Sequence, residues 1–281
     1  MSGRITRFPF KILMNRFSSK IVKIVLKSNH FIYLKNNIFY KLFSEIKDSR
    51  KIKIWSIDDA TKFNFYQKII NPGELCYDIG ANIGLMSKIF LRLGARVIAV
   101  EPQRECVDFM KKYLEYPNLS IVEKAVGDKI GLIELNICDI KSMSSSSADW
   151  IQSVKDSGRY SDKWWYEKRV VPITTLDQLI KEFGNPDYIK IDVEGNELSV
   201  ILGLSKKVKF LSFEHTPELR QNSQNIFDHL NKLGNFKWNY CFADKAIFEF
   251  LNWKEQSEFN TFLNENKYSD QIGDIYIHYE S

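Results

Sequence analysis

The chain has 281 residues, 44% of them hydrophobic and 27% charged, with a net charge of +5. That composition excludes a disordered or collagen-like polymer and suffices for one sizeable core, with room for a smaller appendage. Residues 1–60 carry +9 and the remainder −4, so most of the chain is mildly acidic, the opposite of a general nucleic-acid binder.

Residues 1–70 read as a basic, helical, aromatic-rich extension. Within it, Phe10, Leu13, Met14, Phe17, Ile21, Ile24 and Val25 fall in one stripe of a helical wheel, and Arg16, Lys20, Lys23 and Lys27 cluster away from it. This pattern suits either a helix packed on the core or one lying on a membrane surface or a partner subunit. No run of 18 apolar residues exists, so no membrane-spanning helix is expected, and charges interrupt every apolar run that a signal peptide would need. Asn71-Pro72-Gly73 is a turn that opens the main domain, residues 71–281.

From there strands and helices alternate. Strands are expected at 75–79, 96–100, 119–124, 188–193 and 208–214, and helices at 83–93, 103–115, 176–183, 196–204 and 218–233. Two closing strands, 236–242 and 272–279, flank a helix at 253–263. Residues 130–137 read as an additional strand and 169–173 as extended, around an insertion at 138–166 that breaks the rhythm. Short strands alternating with helices predict an α/β fold: a doubly wound, mainly parallel, seven-stranded sheet of the Rossmann-like nucleoside-binding type. Four scattered cysteines without a paired spacing read as reduced thiols of a cytoplasmic protein rather than metal ligands.

In such sheets the ligand lies at the carboxyl ends of the strands, near the switch point. After the first strand come Asp78, Gly80, Asn82 and Gly84. The two glycines are expected to let the backbone approach a ligand, at the start of a helix whose N–H groups are unsatisfied. Glu101 follows the second strand, where an acid grips ribose hydroxyls, and Pro102 comes next. A dinucleotide site wants G-x-G-x-x-G. Here a carboxylate precedes a G-x-x-x-G turn, which would repel a pyrophosphate and instead suits a ligand carrying ammonium and sulfonium charges, such as S-adenosylmethionine. Val126 and Asp128 follow the third strand, where a carboxylate can meet an adenine amino group.

After the fourth strand comes Lys190-Ile191-Asp192-Val193-Glu194-Gly195-Asn196-Glu197. Alternation predicts Lys190, Asp192 and Glu194 on one face, as either a self-satisfied ion cluster or a proton-transfer site. Glu214-His215 ends the fifth strand, and His215 is either a general base or a cap for the next turn. The serine run 144–147 reads as a flexible loop or as one that lends a hydroxyl to cofactor or substrate, and Trp164 and Trp165 as packing or as a platform for a flat-faced acceptor.

Taken in order, these elements resemble the FkbM-type methyltransferases. The residues that carry the resemblance span 73–215: Asp78–Gly84, Val100-Glu101-Pro102, Ala125-Val126-Gly127-Asp128, Ser144–Ser147, Thr175-Leu176-Asp177, Ile189–Glu197 and Glu214-His215. The resemblance implies S-adenosylmethionine contacts at the first three of these and acceptor chemistry at the last two. It also implies an O-methyltransferase acting on a glycan or other small-molecule hydroxyl. Asp192 or Glu194 is then the first choice for the base and His215 the second, with Lys190 as orienting residue. The N-terminal 70 residues and the tryptophan-rich stretch 148–166 depart from the family pattern, which leaves the acceptor open. A metal-assisted variant, using Asp192 and Glu194 on magnesium, and a non-catalytic binding module are the alternatives. Residues 1–27 are the expected site of peripheral membrane contact or oligomerisation.

Overall fold

The computed structural model describes residues 38–265 and 271–280. The basic amphipathic segment 1–27 lies outside the described residues. Residues 49–281 form one compact unit, which holds the sheet and the site.

Five parallel strands are β1 (Leu75–Ile79), β2 (Arg96–Val100), β3 (Leu119–Val122), β7 (Tyr188–Ile191) and β8 (Phe210–His215). The antiparallel β9 (Phe236–Phe242) and β10 (Gly273–Tyr279) complete a seven-stranded sheet of order β3-β2-β1-β7-β8-β10-β9. The chain winds outward from β1 to β3, then returns and winds the other way from β7, so the switch point falls between β1 and β7. The doubly wound, mainly parallel seven-stranded fold expected from the strand–helix rhythm is therefore the one adopted.

Alternation along the strands divides the core. Tyr77, Ile79, Ile98, Ile189, Ile191, Leu211 and Phe213 face α6 (Leu176–Phe183), α7 (Glu197–Leu202), α8 (Arg220–Leu233) and α9 (Gln256–Asn264). Cys76, Val97 and Tyr188 face the other way, against α2 (Ile57–Tyr66) and α3 (Leu85–Arg92), while Ala99 meets α4 (Arg104–Tyr113). Upstream of α2, helix α1 spans Ile38–Lys53.

Helix α2 starts where its sequence says it should. Ser56 Oγ accepts the Asp59 N–H at 3.0 Å and Asp59 Oδ2 accepts the Ser56 N–H at 2.7 Å, a reciprocal cap. The same Asp59 forms a 2.7 Å ion pair with Lys88 of α3, whose ammonium also donates to the Lys51 carbonyl at 2.8 Å. Both side chains are nearly inaccessible, so this pair fastens α2 to the sheet's helical layer. Tyr66, at the end of α2, bonds Tyr276 of β10 hydroxyl to hydroxyl at 2.9 Å.

Residues 123–174 leave the main sheet. A second sheet of order β4-β6-β5 is built from β4 (Ala125–Val126), β5 (Gly131–Cys138) and β6 (Trp165–Thr174), and α5 (Ala148–Asp156) sits in the insertion. The serine run is ordered, contrary to the expected flexible loop. Ser144 Oγ accepts the Cys138 N–H, Ser145 pairs by its backbone with Asn136, and Ser147 caps α5. Short hydroxyl side chains serve here as local backbone partners, which their polarity alone did not reveal.

Candidate active site

The carboxyl ends of β1, β2 and β7 open onto a shared cleft. Gly80, Asn82, Glu101, Pro102, Val126, Asp192 and Glu194, all expected from the sequence, line it. The second sheet and insertion contribute Leu135, Lys141, Ser142, Ser144 and Ser146 as the opposite wall.

The turn after β1 is a run of left-handed residues: Gly80 (φ 83°), Asn82 (φ 50°) and Gly84 (φ 81°). Packing constrains both glycines as well. A Cβ on Gly80 would lie 1.8 Å from the Asp192 carbonyl oxygen, and one on Gly84 would lie 2.4 Å from Leu114 Cδ1. The turn is thus compressed by β7 on one side and α4 on the other. Asn82 tolerates its conformation by accepting the Ile83 N–H on its own Oδ1, at 2.7 Å.

Glu101, at the end of β2, is 3% exposed. Its Oε2 accepts the Asn82 N–H at 2.9 Å, which ties the β1 turn to β2. Its Oε1 accepts the Gln103 N–H at 2.8 Å and the Gln103 side-chain amide at 3.1 Å. Burial pushes this carboxyl up to about 7 despite those hydrogen bonds. Asp78 lies below the cleft rather than in its lining. It is 1% exposed and accepts Ser87 Oγ at 2.6 Å, and burial raises its carboxyl against the pull of Lys190. Asp128 is exposed and exchanges hydrogen bonds with Ser199 of α7.

The β7 tip differs from the expected alternation. The strand ends at Ile191, and Glu194 turns into the left-handed region (φ 56°), so Glu194 reaches the cleft from a turn and not from a strand face. Lys190 still pairs with Asp192, Nζ to Oδ2 at 2.7 Å. Burial works against the Lys190 charge, but the carboxylates of Asp192, Asp274 and Asp78 outweigh it and hold the ammonium charged. The Glu194 carboxyl makes no hydrogen bond or ion pair among the described residues, and burial, then the neighbouring Asp192 and Glu197, push it well up. Glu197, in the first turn of α7, accepts the Val193 and Gly195 N–H groups and closes the turn. Across the sheet, Glu214 registers opposite Asp274, and its Oε2 is buried without a partner.

His215 ends β8 at 2% exposure, outside the cleft lining. Its Nδ1 bonds Ser223 Oγ of α8 at 2.8 Å, and burial lowers it to about 4. Trp165 Nε1 donates to the Met143 carbonyl at 2.9 Å and its ring meets Trp150 edge-on, so Trp165 packs, and neither it nor Trp164 lines the cleft. No group of three or more His, Cys, Asp or Glu among the described residues converges as metal donors. All four cysteines are buried and free of disulfides.

Residues 78–251 match the methyltransferase FkbM domain. The chain belongs to the FkbM methyltransferase family. It is an S-adenosylmethionine-dependent methyltransferase, and the donor set fits that cofactor. Glu101 presents a carboxyl where β2 ends, and the β7 tip places Asp192 and Glu194 in the same cleft, a set of acceptors able to meet a ligand bearing ammonium and sulfonium charges. Among solved structures, the FkbM chain is similar to the precorrin-6y C5,15-methyltransferase of Geobacter metallireducens. Identity is 12% and the TM-score 0.41, over 79% of this chain and 87% of that one. It is also similar to a TehB-like SAM-dependent methyltransferase of Corynebacterium glutamicum, at 9% identity and a TM-score of 0.40, over 77% of this chain and 86% of that one. No curated protein matches the chain.

Sequence reasoning gave Gln103 no role, and took Ser145 only as part of the serine run and Trp150 only as part of the tryptophan-rich insertion. Gln103 carried a signal, since a polar residue two positions after an acid at a strand end can fold back onto it. The contacts of Ser145 and Trp150 run across the tertiary structure, which the local pattern does not announce.

Proposed function

We propose that this FkbM methyltransferase methylates a hydroxyl of a sugar, in a glycan or glycoconjugate, or of a secondary metabolite. The observation that carries this reading is that Asp192 and Glu194 line the same cleft as Gly80, Asn82 and Glu101. The bound cofactor supplies an electrophilic methyl group. The cleft's task is then to hold an acceptor oxygen in line and to take its proton.

Glu101 and the Gly80–Gly84 turn hold the nucleoside, with Pro102 and Val126 beside it. Glu194 takes the hydroxyl proton. Its unpartnered carboxyl suits that role, because burial and neighbouring acids raise its proton affinity. Asp192, paired with Lys190, orients the acceptor. His215 is the second candidate for the base. Its burial and lowered basicity favour a supporting role on Ser223. We place the reaction in the cytoplasm, on the strength of four free buried thiols, and assign residues 1–27 to membrane-surface or oligomer contact.

The test is a panel of hydroxyl compounds with S-adenosylhomocysteine as the detected product, followed by Asp192→Asn and Glu194→Gln. Glu194→Gln should lower turnover by roughly 10²–10⁴-fold with cofactor affinity little changed. Asp192→Asn should raise KM more than it lowers kcat. Loss of activity with a chelator and recovery with magnesium would favour the metal-assisted alternative, and full turnover in both variants would sink the assignment.

A further inference from the structure

Ser144 and Ser145 are adjacent in the chain but serve opposite walls of the cleft. Ser144 Oγ donates to Gln103 Oε1 at 3.0 Å. Gln103 in turn places both its backbone N–H and its side-chain amide on Glu101 Oε1, and the same amide reaches the Lys141 carbonyl at 3.0 Å. Ser145 is 1% exposed. Its Oγ donates to the Glu194 carbonyl at 2.6 Å and accepts the Ser147 N–H at 2.9 Å. Ser147 Oγ then accepts the Trp150 N–H at 3.1 Å, which starts α5.

Trp150 is 0% exposed, and its ring occupies the volume a side chain at position 195 would need: a Cβ there would lie 2.2 Å from Trp150 Cγ. Glu194 is therefore held from two sides, through its carbonyl by Ser145 and through the next residue by Trp150. A left-handed non-glycine residue is strained and persists only where its surroundings over-determine it. These two contacts supply that constraint at the one acid lining the cleft, among the described residues, whose carboxyl has no protein partner.

We propose that Ser144 and Ser145 are positioning residues for the two working carboxylates, Ser144 aiming Glu101 at the ribose through Gln103, and Ser145 with Trp150 fixing Glu194 beside the reacting methyl group. The second half rests on the assignment of Glu194 as the base. The groups that face Glu194 are Asp192 and Lys190 from β7 and its turn, Glu197 of α7, Glu214 of β8, and Tyr160 after α5. Several are acids, so the Glu194→Gln variant serves as the reference for the share that belongs to Glu194.

The experiment is calorimetric titration of the full chain with S-adenosylmethionine and, separately, with S-adenosylhomocysteine, between roughly pH 6 and pH 9. The first ligand carries the sulfonium charge and the second does not. A carboxylate beside the sulfur raises their affinity ratio as it loses its proton, so the wild-type ratio should climb with pH. Glu194→Gln should flatten that climb, and Ser145→Ala should flatten it as well while binding the homocysteine within about twofold of wild type. Ser144→Ala should weaken both ligands equally, by about fivefold, the worth of one net hydrogen bond, and keep the climb. Ser145→Cys, which fills the same space with a weaker donor, carries the same expectation should the alanine variant melt early. A wild-type climb in Ser145→Ala, alongside a flat Glu194→Gln, overturns the role of Ser145. A climb that survives in Glu194→Gln overturns the placement of Glu194 itself, and the positioning of it falls with that. Unchanged affinity in Ser144→Ala overturns the role of Ser144.

Discussion

Replacing Glu101 by Gln tests whether this buried acid grips the ribose. In the free protein its carboxyl lies near 7, so about half of it is protonated at neutral pH. Ribose hydroxyls donate to the anion, so binding must expel the proton. If the bound carboxyl returns to its ordinary range, the affinity for S-adenosylhomocysteine should fall roughly tenfold between pH 8 and pH 6. At pH 8 the Gln variant should bind about 10–150-fold more weakly, the loss of hydrogen bonds worth about 1.5–3 kcal/mol to a charged group. Its remaining affinity should be flat with pH. Calorimetry in two buffers of different ionisation heat would also show proton release in wild type and none in the variant. Stability follows the same group. A carboxyl raised from 4.5 when unfolded to about 7 when folded binds its proton more tightly in the native state, so the free protein loses about 3 kcal/mol as pH rises through that window. The variant should lack this loss. A wild-type affinity that is flat with pH, or a slope that persists in the variant, would refute the assignment. Glu197 also lies near 7, so its own share of the stability loss should persist in the variant, but it is committed to the Val193 and Gly195 N–H groups outside the cleft lining and should not mimic the affinity slope.

Lys88→Met should destabilise the protein by about 3–5 kcal/mol in urea titrations, because it strands Asp59 and the Lys51 carbonyl without their cation. Lys88→Met with Asp59→Leu should recover part of that, since the buried charge goes too. His215 is lowered from 6.5 to about 4 by burial, so the unfolded chain takes up its proton first as pH falls. Stability that is full above pH 6.5 should drop by about 3 kcal/mol towards pH 4, and His215→Gln should remove that component from the pH–stability curve.

The fold was largely legible because its signals are local. Short apolar strands ending on glycine or an acid, and amphipathic helices of ordinary length, placed every strand of the main sheet to within a few residues. The meeting of Gly80, Asn82 and Glu101 in one cleft was readable for the same reason: they sit on consecutive elements, and β1 and β2 pair in register from Leu75 and Arg96 to Ile79 and Val100. The β7 tip was less so. Alternation assumes a strand, and the strand stops at Ile191, where Gly80 meets the Asp192 carbonyl and Gly195 meets Trp150. Both contacts come from residues distant in sequence, 80 and 150, and no pattern around position 192 announces them. The serine run misled for a related reason: hydroxyls satisfied by distant partners look the same in sequence as hydroxyls satisfied by water.

The second sheet has a consequence for how such an enzyme changes its substrate. The β1 turn, Glu101 and the β7 tip are drawn from residues 78–101 and 190–197, whereas the opposite cleft wall comes from residues 124–146, which pair with residues 165–174 in a sheet of their own. Leu135, Lys141, Ser142 and Ser146 can therefore be exchanged without disturbing the register of the main sheet. Ser144, Ser145 and Trp150 cannot, because they reach across to the other wall. Under the proposed function, a change of acceptor is to be sought first at these four wall positions, with the three others held fixed, a library small enough to be made in full.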